Sequence, residues 1–347
     1  MGPAAALVPV LLFLLVLFLL DSFKLVPLRS VAASLAAGTA AALATLWFHG
    51  AVLEGLDPAL VSRYVAPFVE ESAKGTIVLI LIAGGRVGFV ADAGVKGFAV
   101  GAGFALVENV TYLQALSDAP VLLWIVRGVG TAVLHGATTA IFAMVSKALS
   151  DRPGRRAVAA FLPGFAAAAG IHSAFNHVLL PPIVQTLVLL MVLPLLVLWV
   201  FDRSDRATRE WIGAGLDLDL EVLQLVGSEH FTDTRLGHHL IELRSQFPGS
   251  TVADMYCLLR LELELAVQAK ALVMARSAGL DLPPDADLES ALAERRSLQR
   301  SIGRRGLRAL EPLQVTSRRD QWHRRLLQQA RLRAHPMAGV SRRPAGD

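Results

Sequence analysis

The sequence predicts an all-α protein: a polytopic bundle of about seven transmembrane helices followed by a helical cytoplasmic domain. Three observations predict it. Of the 347 residues 54% are hydrophobic, and the mean hydropathy is +0.52, both high for a soluble chain. The apolar residues concentrate before Asp202, and ordinary charged sequence comes after it. The apolar runs recur at roughly 17–25 residues, the length a helix needs to cross ~30 Å of hydrocarbon. They are too long for barrel strands and lack two-residue alternation, so backbone satisfaction in lipid favours helices.

The first span covers about 3–20. No basic segment opens it and no small-x-small site precedes Asp21, so it reads as a retained span and not a cleaved signal. The second covers 31–53. The third, 62–83, is the least apolar because it holds Glu70, Glu71 and Lys74. The fourth, 95–116, is preceded and threaded by Gly94, Gly97, Gly101 and Gly103, which let a neighbouring helix approach closely. Spans at 121–147, 157–180 and 183–201 complete the membrane domain, residues 1–201. Basic residues mark alternate connections: Lys24 and Arg29, Arg86 and Lys96, Lys147 to Arg156, then Arg203 and Arg206. The positive-inside rule puts the N-terminus outside and the C-terminal region in the cytoplasm of a plasma-membrane protein.

Residues 202–294 read as a soluble helical domain in which acids outnumber bases. Its clearest amphipathic helix is 251–275, with Met255, Leu258, Leu259, Leu261 and Leu263 among its apolar residues. Leu282-Pro283-Pro284 ends that pattern. These helices are candidates for homodimer formation. Residues 295–347 form a basic tail, helical to disordered, with fourteen arginines against Glu311, Asp320 and Asp347. Such a segment is drawn to anionic lipid headgroups at about 1 kcal/mol per residue. No aromatic stacking motif accompanies it, so no specific nucleic acid is expected. Cys257 is the single cysteine, which excludes an intrachain disulfide and a cysteine-based metal site.

The polar residues inside the spans carry the functional signal. A charged side chain at the bilayer centre costs roughly 2.5–3.5 kcal/mol on insertion scales. By span direction, Glu70, Glu71, Glu108 and His172 fall in the outer half, with His135 near the middle. In Glu70-Glu71-x-x-Lys74, Glu70 and Lys74 are four apart and share a helix face, while Glu71 points about 100° away. The lysine supplies counter-charge to a carboxylate pair in low dielectric. Phe104 lies one turn before Glu108 and walls it from lipid, and Thr139 lies one turn beyond His135. His172-x-x-x-Asn176 puts an imidazole and an amide on one face, two donors for a developing oxyanion. There is no His-Glu-x-x-His, Gly-x-Ser-x-Gly or P-loop pattern. A carboxylate base, an imidazole and oxyanion donors at one depth are the parts for hydrolysis of an amide by activated water.

These motifs, in this order on successive spans, resemble the PrsW family of intramembrane proteases. Glu70-Glu71-x-x-Lys74, Phe104-x-x-x-Glu108-Asn109, His135 and His172-x-x-x-Asn176 carry the resemblance, with the stretch Val90–Tyr112 around the second. The family is related to the CAAX-prenyl endopeptidases and the bacteriocin-immunity membrane proteins. Glu108 stands where the prenyl endopeptidases place a histidine, and His135 offers an imidazole in its stead. The resemblance covers about residues 30–200. It implies cleavage of a single-span membrane protein, for the family's best-known role a first cut in a transmembrane anti-sigma factor. The expected catalytic set is Glu70 as general base, with Glu71 the alternative for that role, and Glu108, His135, His172 and Asn176, supported by Lys74, Phe104 and Asn109. No cofactor is required by this reading. The metal-dependent alternative has Glu71, Glu108, His135 and His172 holding zinc. Two rival classes are an ion- or proton-coupled transporter, since Glu and His chains also mark ion paths, and an inactive scaffold with a structural polar core.

Overall fold

Each apolar run becomes a helix, the one form in which a single segment bonds all its own backbone groups in lipid. A computed structural model describes residues 2–19, 26–53, 55–115, 121–151, 157–280, 287–310 and 327. Among the described residues there is no strand, and the chain divides into two compact units, 1–208 and 209–347.

In chain order the first unit holds α1 (Gly2–Leu19), α2 (Leu28–Val52), α3 (Pro58–Leu60), α4 (Ala66–Ala83), α5 (Val90–Ala115), α6 (Val121–Ser150) and α7 (Ala157–Asn176), and α8 (Pro182–Val226) begins in it. A π-helical segment, Val61–Val65, joins α3 to α4, so 58–83 is one continuous helical run. Among the described residues, three helical stretches are long and apolar enough to cross a membrane: Leu28–Val52, Val90–Gln114 and Val129–Ser150. Leu7–Leu19 and Ile183–Val192 are shorter apolar stretches. The span expected to stop at residue 201 does not end as a helix there. Polarity rises at Asp202, but Asp202 and Arg206 pair one turn apart and the backbone winds on to Val226.

The core of the first unit forms around α5. Val95, Phe98, Ala99, Ala102 and Ala105 pack with Val133, Ala137, Ala140 and Met144 of α6, and with Val10, Leu14 and Leu17 of α1. The glycines of α5 act as the sequence suggests. A Cβ on Gly101 would collide with the carbonyl of His135, and one on Gly103 with the carbonyl of Leu35 in α2. Thr39 adds a hydroxyl bond to the Gly103 carbonyl at 3.3 Å. Gly101→Val is therefore expected to destabilise the bundle by about 3 kcal/mol, the upper end for overpacking, as a lowered unfolding midpoint in detergent. Because that backbone contact holds the His135 turn, the same variant also displaces the His135 side chain. A second cluster joins α4, α6 and α7 through Val78, Phe142, Ala143, Ala160, Phe161 and Ala168. At the other end of α5, Asp92 pairs with Lys96 at 2.7 Å and accepts from the Gly88 amide, while the Ala91 amide donates to Ser204. Large apolar side chains such as Leu12, Trp47, Phe68, Leu187 and Met191 point outward, as lipid contact requires.

The second unit contains the rest of α8, a 3₁₀ turn (Glu229–Asp233), α9 (Arg235–Leu243), α10 (Gly249–Ser277) and α11 (Leu288–Ala309). The helix expected at 251–275 is α10, and Met255, Leu258, Leu259, Leu261 and Leu263 are all buried. All but Leu261 pack with Val226, Phe231, Leu240, Ile302 and Leu310 in one core. The domain boundary expected at 294/295 falls inside α11. Arg295 pairs with Glu262 at 2.6 Å, and Ile302 and Leu310 beyond it are core residues. The basic segment thus begins as a packed helix, because Leu298 and Ile302 lie one turn apart among the arginines, before a break at Gly303. Leu282-Pro283-Pro284 and Pro336–Asp347 lie outside the described residues.

Candidate active site

Four helices of the first unit bring one polar side chain each, or more, to a common point. From α4 come Glu70, Glu71 and Lys74; from α5, Glu108, with Phe104 beside it; from α6, His135 and Thr138; from α7, His172. Glu71, Lys74, Thr138, His135 and His172 are buried, the first three completely.

Lys74 is the hub. Its ammonium donates to Glu71 Oε1 at 2.5 Å and to His135 Nδ1 at 2.9 Å, and lies 4.5 Å from the centroid of the Phe104 ring. Sequence spacing pairs Lys74 with Glu70 across four residues. The structure pairs it with Glu71 across three, and Glu70 is left to face α7. Phe104 does wall the cluster, and its ring also sits 5.0 Å from that of His135.

The hydrogen-bond roles follow from what each group can do. An ammonium only donates, so Nδ1 of His135 accepts from Lys74. The ring's proton is then on Nε2, which donates to Glu108 Oε2 at 2.5 Å. A carboxylate only accepts, so His172 donates from Nδ1 to Glu71 Oε1 at 2.9 Å. That leaves the Nε2 lone pair of His172 facing Glu70 Oε2 at 3.9 Å. The two imidazoles meet edge to face at 4.9 Å. Oε2 of Glu70 and Oε2 of Glu71 are buried without a hydrogen-bond partner. A buried charge array of this kind persists only when its members satisfy one another, and the loss of one is costly.

Thr138 joins the cluster although the sequence motifs do not single it out. It approaches Glu71 Oε1 at 3.4 Å, while Thr139, the residue expected to share the face of His135, donates to the His135 carbonyl at 2.8 Å. The signal for Thr138 lies in its i+3 spacing from His135. Asn109 is buried beside Glu108. Asn176, expected beside His172 as an oxyanion donor, donates its amide to the Ser62 carbonyl at 2.9 Å. The neighbouring Ser173 donates to the Arg63 carbonyl at 2.6 Å, and His177 stacks edge-on against Tyr64.

The cluster also fits a metal ion, though not through the set the sequence suggests. Glu71 is occupied by Lys74 and His172. The ligand atoms of Glu70, His135 and His172 instead lie within 4.8 Å of one another. Two imidazoles and a carboxylate suit zinc. The unpartnered Oε2 of Glu70 and the Nε2 lone pair of His172 are ready donors, whereas His135 must first give up a ring hydrogen bond and its proton.

No curated protein and no solved structure gives a significant match to the chain. The family model described as PrsW family intramembrane metalloprotease matches residues 12–200, which include every residue of the cluster. Over more than half its length, and with these groups gathered among apolar helices, the chain belongs to the PrsW family and is an intramembrane protease.

Proposed function

We propose that this protease cuts a peptide bond of a single-span membrane protein in the outer half of the bilayer, with Glu70 as general base. The observation that carries the choice of Glu70 is access. Glu71 is 0% exposed and held by Lys74 and His172, whereas Glu70 keeps 14% of its side chain accessible. Glu70 takes a proton from the attacking water, whose oxygen bonds to the scissile carbonyl carbon. His172, whose Nε2 lone pair faces Glu70 at 3.9 Å, accepts a hydrogen bond from the other hydrogen of that water and orients it for attack. Glu71 holds that ring in place from the other side, in the manner of the third member of a triad. Glu70 then returns its proton to the leaving amine as the C–N bond breaks. Lys74 supplies the counter-charge to Glu71, and His135 links Lys74 to Glu108 beside the site.

In this reading seven spans with the N-terminus outside give the carboxylates and His172 an extracytoplasmic depth. By family resemblance the substrate is a transmembrane anti-sigma factor. The cytoplasmic unit would meet anionic headgroups through its arginines.

The donor set of Glu70, His135 and His172 favours a second reading, in which these three residues would hold zinc and the ion would supply Lewis-acid chemistry. Glu108, 26% exposed, is then the carboxylate that takes the proton. Elemental analysis separates the two. The first reading expects cleavage to survive exhaustive chelation, with no bound metal in the purified protein. The second expects about one zinc per chain, lost in His172→Ala.

A further inference from the structure

We infer that Ser173 and Asn176 are positioning residues that complete the backbone of the helix carrying Glu70 and Glu71. This inference deepens the proposed function and rests on it for its catalytic readout.

Pro67 lies in the first turn of α4. Proline has no amide proton, and inside a helix its ring crowds the carbonyl four residues back. Here that carbonyl belongs to Arg63. In a π turn the lost donor would have served the carbonyl five residues back, which belongs to Ser62. The chain is π-helical over Val61–Val65, and the Ala66 amide reaches back five residues to the Val61 carbonyl. The wider turn relieves the crowding but leaves the carbonyls of Ser62 and Arg63 without their usual donor. Two side-chain donors reach this segment from α7, and they go to those two carbonyls: Asn176 to Ser62 at 2.9 Å and Ser173 to Arg63 at 2.6 Å.

The placement links this repair to the chemistry. Ser173 and Asn176 are the next residue and the next turn after His172, whose Nδ1 holds Glu71. One stretch of α7 therefore grips the same helix on both sides of Pro67. A π turn adds one residue to the helix and rotates the residues beyond it by about 100°. The α7 contacts hold that rotation, and with it the direction in which Glu70 faces His172. Asn176 acts on the carboxylates through the backbone, and not on the substrate.

A double-mutant cycle tests this. Pro67→Ala supplies the missing amide proton. The full-length protein in detergent is assayed as wild type, Asn176→Ala, Pro67→Ala and the double variant, with Ser173→Ala and Ser173→Thr alongside. Asn176→Ala should lower kcat about tenfold or more with KM within about twofold. The same substitution on the Pro67→Ala background should cost about threefold or less, and Ser173→Thr should retain the activity that Ser173→Ala loses. An equal loss in both backgrounds would mean that Asn176 works on the substrate and would overturn the inference. Hydrogen exchange of the 61–70 amides reads the tether without any substrate. It should quicken about tenfold in Ser173→Ala/Asn176→Ala, and an unchanged rate overturns the inference even if Pro67→Ala proves inactive. Wild-type protein that cleaves nothing while its exchange responds as stated would fault the protease reading and leave the tether standing.

Discussion

Glu70→Gln is expected to abolish cleavage of a single-span substrate while leaving the protein folded. Gln is isosteric, so the contact with α7 keeps its shape, but an amide cannot take a proton from water. General-base catalysis contributes about 10²–10⁴-fold, and the loss should lie in kcat and not in KM. Substrate binding measured on the inactive variant should match the wild type. Retention of more than about a tenth of the wild-type rate would remove Glu70 from the chemistry. Asp at this position is one methylene shorter, which draws its carboxylate back from the 3.9 Å approach that Glu70 makes to His172. It should fare little better than Gln.

The largest effect on stability should come from Lys74→Met. The lysine and Glu71 are both fully buried, and the pair is 2.5 Å apart. Met fills much of the same volume but leaves the buried Glu71 charge without its cation and removes the donor to His135 Nδ1. Breaking a buried pair from one side costs about 3–5 kcal/mol. Thermal unfolding in detergent should show it as a large fall in midpoint. Adding Glu71→Gln to Lys74→Met should recover most of that stability, since a neutral amide no longer needs a cation. Activity should not return, because the ring of His172 would have lost its carboxylate. If Lys74→Met alone unfolds no more easily than wild type, the buried charge array is not what holds α4 to α6.

Much of the site is legible in the sequence. Charge in an apolar segment is conspicuous, and the expected span directions put these groups at similar depth. Their gathering on four helices follows from that. The pairing within α4 is less legible. On an ideal helix residues three and four apart are both neighbours, and only the position of α7 decides that Glu71 meets Lys74 while Glu70 faces His172. Asn176 shows a different limit. Its spacing from His172 is correct for a shared face, yet nothing local to α7 announces a proline on another helix whose missing amide proton claims it. The second unit has the same character. Arginines dominate the composition from Arg295 onward, and they hide an apolar stripe of Leu292, Leu298 and Ile302 that packs α11 into its unit.

The pairing of Glu71 with Lys74 has a consequence for how the chain enters the membrane. In the proposed seven-span topology, helices reach the bilayer in order of synthesis, and α4 arrives before His135 and His172 exist. A lone carboxylate there would meet an insertion penalty of roughly 2.5–3.5 kcal/mol. Because the counter-ion sits one turn away on the same helix, α4 carries its own neutralising partner into the bilayer. The later helices then inherit a pair that is already formed, and Nδ1 of His135 and Nδ1 of His172 dock onto its two ends. In that topology, moving the lysine to another helix should lower the fraction of α4 that inserts, as read by an insertion assay on the isolated segment.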